Sequence, residues 1–260
     1  MAQEVGVRPA NQPGDTQDTE GYAGFVRRAM PPLPEDAPKP SPDPRDLEGT
    51  WFHRDLLEKY VSKNMYGGPT PINEDGKKVL DHRITSLKNG KPIASASTRC
   101  IPPGHPWQLD LNMPFTILYD KNAIYFLFEE FHGVWKIRMN QPHQPPSVLR
   151  EYMGDSVGHW DGTTLVVDTV NFKEPMWVDI AGEPLSTNAH LIHRIRKVED
   201  GGPALEIITT VDDPQYYTTR WSMVRSFAWR PDKAIFAEYN CEEQVGAPDS
   251  IASYGVVDEH

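Results

Sequence analysis

The sequence predicts an all-β protein, an antiparallel meander closing into a lipocalin-like barrel, with a β-sandwich as the alternative. Three observations predict it. Runs of aromatic and β-branched residues of strand length fill the chain from about residue 115 onward. Short turn signals separate them, among them Asp120–Asn122, Asp161-Gly162 and Glu199–Pro203. No fixed-period repeat is visible, which weighs against a propeller. At 260 residues the chain is long enough to bury a core as one large β-domain.

Residues 1–46 hold nine of the 25 prolines, seven of them crowded into MPPLPEDAPKPSPDPRD. Proline lacks a donor and fixes φ, so this segment is an extended or disordered arm rather than a helix or central strand. It wraps over its own domain or joins a neighbouring subunit in a homo-oligomer. A single barrel domain follows over 47–260. Gly49–Trp51 suits entry into a strand, and RDLLEKYVSK (54–63) has helical spacing that Gly67-Gly68 would end. KKVLDHRITSL (77–87) reads as a strand in an otherwise loop-like stretch. FTILYDKNAIYFLFEEFHGVWKIRM then supplies two or three strands that turn at Asp120–Asn122 and near Gly133.

In VGHWDGTTLVVDTVNF (157–172) an Asp161-Gly162 type I′ turn would set Trp160 against Thr163 and His159 against Thr164. Asp168 then interrupts an apolar strand, either on the solvent face or buried. The next hairpin, 189–214, turns at Glu199–Pro203. The last has Pro231-Asp232 at its tip and pairs Arg225 with Glu238 and Arg220 with Glu243. Cys100 and Cys241 are two buried thiols in a reducing compartment, or a disulfide in an oxidising one.

Composition excludes several functions. A formal charge of −11 with no Lys/Arg cluster leaves nothing to neutralise phosphates, so no nucleic-acid partner is expected. No apolar run reaches the length of a membrane span. Nucleophile-elbow, dinucleotide, P-loop and H-E-x-x-H patterns are missing, so no cofactor and no metal are expected. The start, MAQEVG, lacks a basic and apolar leader and reads as the mature end of an exported chain behind a start Met.

Period-two alternation picks out the candidate site residues. Ile124, Phe126, Phe128, Glu130 and His132 share one face, with Glu130 and His132 about 7 Å apart along a strand. A carboxylate that orients an imidazole makes a general acid or base; the alternative is a hairpin end with both groups in water. Ala189, Leu191, His193 and Ile195 form a second such face, where His193 is either a core residue or a ligand contact. On the last hairpin Trp221, Met223, Arg225, Phe227 and Trp229 share one face, and Tyr239, Cys241 and Glu243 lie on the other. Which face is inward stays open, because a one-residue slip reverses it. Trp107, Trp135, Trp160, Trp177, Trp221 and Trp229 exceed what a small barrel core needs and suit a cavity for a flat or hydrophobic ligand.

MGDSVGHWDGTTLVVDTVNF, ITTVDDPQYYTTRW, RCIPPGHP and EYNCEEQ together resemble the motifs of a large family of mostly uncharacterised, usually exported bacterial β-proteins. Its pattern reads G-x-S-x-G-x-W-x-G-D-T-L-V-V-x-T, then T-x-x-D-P, then Y-x-C-x-E-N. The likeness covers about Arg99 to Gln244 and departs from the pattern at Thr163, Gln244 and His193. It implies export to the periplasm or outside, one antiparallel β-domain, and signature residues at Trp160, Asp168, Asp213, Tyr239, Cys241 and Glu243.

The expectation is a cofactor-independent lyase, decarboxylase or isomerase acting on a small aromatic or hydrophobic molecule inside the barrel. Glu130 and His132 would move protons, Arg225 would hold a carboxylate or phenolate, and Tyr239 or Glu243 would polarise the substrate. Trp135, Trp160, Asp168, His193 and Trp221 would line the ligand site. The alternative is a non-catalytic, lipocalin-like binding protein with the same cavity.

Overall fold

A computed structural model describes residues 30–54, 64–66, 68–233 and 238–241. Nine strands close into one barrel: β1 (Gly49–His53), β2 (Phe115–Asp120), β3 (Ala123–Phe128), β4 (Val134–Met139), β5 (Asp155–Asp161), β6 (Thr164–Val170), β9 (His190–Glu199), β10 (Pro203–Asp212) and β11 (Trp221–Trp229). Two-residue strands β7 (Met176–Trp177) and β8 (Pro184–Leu185) form a separate ribbon between β6 and β9. Closure leaves the barrel strands without an open edge.

All neighbouring pairs are antiparallel except β4 and β5, which run parallel with Ile137 opposite Ser156. A parallel pair needs a long return path, which residues 140–154 supply. β11 is hydrogen-bonded to β10 on one side and to β1 on the other. The expected pairing of β11 with a following strand is therefore replaced: Arg220 pairs with Asp212 and Arg225 with Asp110. Residues 238–241 form no strand, and 234–237 and Glu243 lie outside the described residues.

Residues 77–87 are helical rather than extended, within α1 (Glu74–Lys88). Asn73 caps it by accepting from the amides of Asp75 and Gly76, and Glu74 and Asp75 occupy the first turn. Gly76 and Arg83 are buried, and Val79 packs against the mouth cluster, a three-to-four-residue period that outweighs the β-branched content. Arg54 is not helical, and the remainder of the helix expected over 54–63 lies outside the described residues.

The β5–β6 turn also differs from expectation by one residue. Asp161 pairs with Thr164 and Trp160 with Leu165, so Gly162 and Thr163 form the loop. Gly162 takes the positive φ of 59° that the turn requires, while Asp161 stays in the strand and pairs with Arg194.

The two ends of the barrel differ. One end has the short connections at 121–122, 162–163 and 200–202, and the arm lies across it. Trp229 Nε1 donates to the Pro38 carbonyl at 2.7 Å, and Arg230 Nη1 to that of Pro31 at 2.7 Å. Leu47 is fully buried beneath the arm. The inner half is filled by Trp51, Phe115, Phe126, Trp135, Phe227 and aliphatic neighbours, a solid core. The connections 54–114, 171–189 and 213–220 emerge at the other end, the mouth, and 140–154 runs from the closed end up to it. There Phe172, Met176, Val178, Leu185, Tyr217 and Trp221 form a second cluster that packs the 171–189 excursion over the barrel.

Candidate functional site at the barrel mouth

Alternation decides which side chains enter the barrel. On β11 the register sets Arg225 opposite Ile207 and Met223 opposite Thr209, so the face carrying Trp221, Met223, Arg225, Phe227 and Trp229 is inward. On β9 the inward set is Leu191, His193 and Ile195. On β6 it is Leu165, Val167 and Thr169, which places Asp168 on the outer face.

The turn 104–110 dips into the mouth. Gly104 has φ 75°, and a Cβ there would come within 2.4 Å of the Tyr152 carbonyl oxygen, so only glycine fits the entry. His105, Trp107, Gln108, Leu109 and Asp110 are all buried. The His105 ring lies 4.1 Å from that of Trp135 and 5.1 Å from that of His193. Trp135 Nε1 donates to Ser156 Oγ at 2.8 Å, and His193 Nδ1 bonds Thr209 Oγ1 at 2.9 Å. Burial drives the His193 imidazole down to about 3 and that of His105 well below its ordinary value, so both rings are neutral.

Asp110 and Arg225 form a two-pronged ion pair through Nε and Nη2, and His53 Nε2 stands 3.9 Å from the same carboxylate. Burial pushes the Asp110 carboxyl up against the opposing pull of the guanidinium. The expected role of Arg225 as holder of a substrate carboxylate is corrected by this geometry, since Asp110 already takes that fork.

Asp110 also lines a pocket of about 400 Å³ with Trp107, Met113, Glu130, Phe131 and Ile180. β3 ends at Phe128, and residues 130–132 form a 3₁₀ turn with Phe131 at φ 59° and His132 at φ 48°. The alternation expected through Glu130 and His132 is broken there. Glu130 is half-buried at the pocket, and its carboxyl is pushed up by burial and then by Glu129. His132 is exposed and shares no hydrogen bond with Glu130. Tyr239 packs on Phe131 with ring centres 5.1 Å apart, and burial and the Glu130 charge raise its hydroxyl. A Cys100–Cys241 disulfide ties that segment to the wall of the mouth.

The mouth thus collects Glu130 and Tyr239, with Arg225 behind Asp110, and with Trp135 and His193 deeper in the lumen. Trp221 is fully buried in the cluster above them. Trp160 is at the closed end under Arg45, away from the pocket. Asp168 is also elsewhere: it accepts from His143 Nε2 at 2.9 Å and His190 Nε2 at 2.8 Å on the outer face. His143 in turn reaches Asp155, which pairs with Arg138. Most of the tryptophans fill the interior instead of lining a hollow.

Sequence reasoning missed Asp110, His105 and Gln108, whose signal was a set of polar residues inside the compact apolar segment IPPGHPWQLDL. It also missed Glu183, held by the Thr70 hydroxyl at 2.5 Å and pushed up to about 7 by burial. Among the described residues no helix is long and apolar enough to cross a membrane. No protein-family model, curated protein or solved structure matches the chain, so the reading of this site rests on its own residues.

Proposed function

We propose that the protein is an acid–base enzyme, a lyase, decarboxylase or isomerase that needs no cofactor, and that it works on a small aromatic or hydrophobic molecule at the barrel mouth. One observation carries this reading. Glu130 is a half-buried carboxyl with its proton affinity raised by desolvation, and it faces a pocket of about 400 Å³ walled by Trp107, Phe131 and Met113. A carboxyl tuned upward in an apolar wall is suited to take and return a proton. The Asp110–Arg225 pair is a fixed dipole at the same wall. The disulfide fits an oxidising compartment, the periplasm or outside the cell.

A non-catalytic binding protein is the second reading, favoured by His132 facing solvent rather than completing a proton relay with Glu130. The test is to incubate the protein with a panel of small aromatic acids, phenols and enones and follow conversion by mass spectrometry. Conversion that falls roughly 100-fold or more in Glu130→Gln supports catalysis. Retained ligand with no conversion in either protein supports binding alone.

A further inference from the structure

The mouth pocket of about 400 Å³ carries charge of one sign. Among the described residues its lining holds two ionisable side chains, Asp110 and Glu130, and both are acids. Asp110 is neutralised by the two-pronged grip of Arg225, which leaves Glu130 as the charge at the cavity. The charge acting on Glu130 is that of Glu129, of the same sign. Other guanidiniums of the mouth segments are engaged elsewhere, Arg99 by Glu174 and Arg83 by the Gly182 carbonyl and the Trp177 ring. We propose that the mouth pocket takes an organic cation, a small molecule whose methylated ammonium group sits between Glu130 and the rings of Trp107 and Phe131.

The chemistry of the walls separates this class from its competitors. An anion would meet the like charges of Glu130 and Glu129, with no lysine or arginine in the described lining to offset them. A bare metal ion needs several oxygen ligands. Among the described residues no three His, Cys, Asp or Glu side chains are grouped to hold one. A primary ammonium has three N–H donors, each of which needs an acceptor once water is displaced. A methylated ammonium makes no such demand: ring faces attract its charge, and apolar walls take its methyl groups. Met113 and Ile180 are 40% and 60% exposed, an apolar rim that such a ligand would cover.

The walls are also fixed in advance. Tyr239 packs on Phe131 with ring centres 5.1 Å apart, and Trp177 stacks on Trp107 at 5.8 Å. A cage already formed costs little ordering when it is filled. Burial raises the proton affinity of Glu130, and a cation beside it would draw the carboxyl back to its ionised form. The arriving ligand thus readies the base.

This inference rests on the mouth being the small-molecule site proposed above and names the charge class of its ligand. The test is calorimetric titration of the whole protein at neutral pH with phenyltrimethylammonium, its neutral isostere tert-butylbenzene, and benzoate. The expected result is saturable binding of the cation, about tenfold or more tighter than of tert-butylbenzene, with benzoate weakest. Glu130→Gln should bring the cation level with tert-butylbenzene and leave tert-butylbenzene itself unchanged. Phe131→Leu keeps an apolar wall and removes the ring, so it should weaken the cation about fivefold and tert-butylbenzene less than about twofold. Cation binding that depends on Glu130, with no conversion of any compound, supports this inference and removes catalysis. A cation that binds no better than tert-butylbenzene, or whose binding survives Glu130→Gln, overturns the charge class and leaves the pocket standing. Tighter binding of benzoate than of the cation overturns it as well. No saturable binding of any of the three overturns both the ligand class and the small-molecule site.

Discussion

Arg225 on β11 and Asp110 in the mouth turn meet across 115 residues of sequence, with Nε and Nη2 gripping the two oxygens of one carboxylate inside the barrel. The pair links the turn that forms the mouth to the wall that supports it. Removing one partner strands a buried charge, so Arg225→Met should cost about 3–5 kcal/mol in urea unfolding. The double variant Arg225→Met, Asp110→Leu should recover most of that loss, since a well-packed apolar pair often equals a buried ion pair. A double variant as unstable as the single would show that the turn is held by something other than this pair.

Glu183 couples stability to pH. The carboxyl lies under the mouth excursion and accepts from Thr70, and burial raises it from 4.5 to about 7. A raised acid binds its proton more tightly folded than unfolded. Its contribution is therefore present below pH 4.5 and is lost as pH rises toward 7. The full swing is on the order of 3 kcal/mol. Glu183→Gln should flatten this part of the stability profile and unfold later than the parent at about pH 8. Unfolding curves across pH check it, and an unchanged slope would refute the assignment.

The architecture was legible because the interior is written in period two. Ile124, Phe126 and Phe128, and likewise Leu191, His193 and Ile195, are inward as alternation requires. What escaped was local geometry at strand ends. Phe131 and His132 adopt positive φ, so the pattern through Glu130 ends where the turn begins. A single-residue shift at Gly162 moved the turn, and α1 was hidden because its capping residue, Asn73, lies outside the β-branched run that looked extended. The Arg225–Asp110 pair was illegible for another reason: nothing in the sequence near either residue points to a partner so distant.

The outer-face bridge makes a separate prediction. Asp168 accepts from both His143 and His190, and its hydrogen bond raises the His190 imidazole above the ordinary value. Its effect on stability is present below pH 6.5 and is lost as pH rises through the folded value. Because the Asp168 side chain is 40% exposed, solvent screening limits the effect to about 0.5–1 kcal/mol. In Asp168→Asn the His190 titration, followed by NMR, should move down toward the ordinary value, with no change in mouth-pocket binding. A loss of binding would mean that the two faces communicate.

The disulfide ties function to redox state. Cys100 and Cys241 are separated by 141 residues, so the bond removes a large loop entropy from the unfolded chain, up to about 5 kcal/mol in the chain-entropy account. Measured losses are generally smaller, so Cys100→Ser with Cys241→Ser should destabilise by about 2–5 kcal/mol. The bond also holds Tyr239 against Phe131, where burial and then the charge of the neighbouring Glu130 raise the tyrosine hydroxyl. Releasing it removes the ring from beside Glu130 and exposes the carboxyl, so the Glu130 pKa should fall toward its ordinary value. Below the raised pKa the parent carboxyl is protonated, and a pH–rate profile for any substrate found should therefore shift to lower pH in the double serine variant. An unshifted profile in a folded double variant would remove Tyr239 from the site and leave the disulfide a purely structural staple.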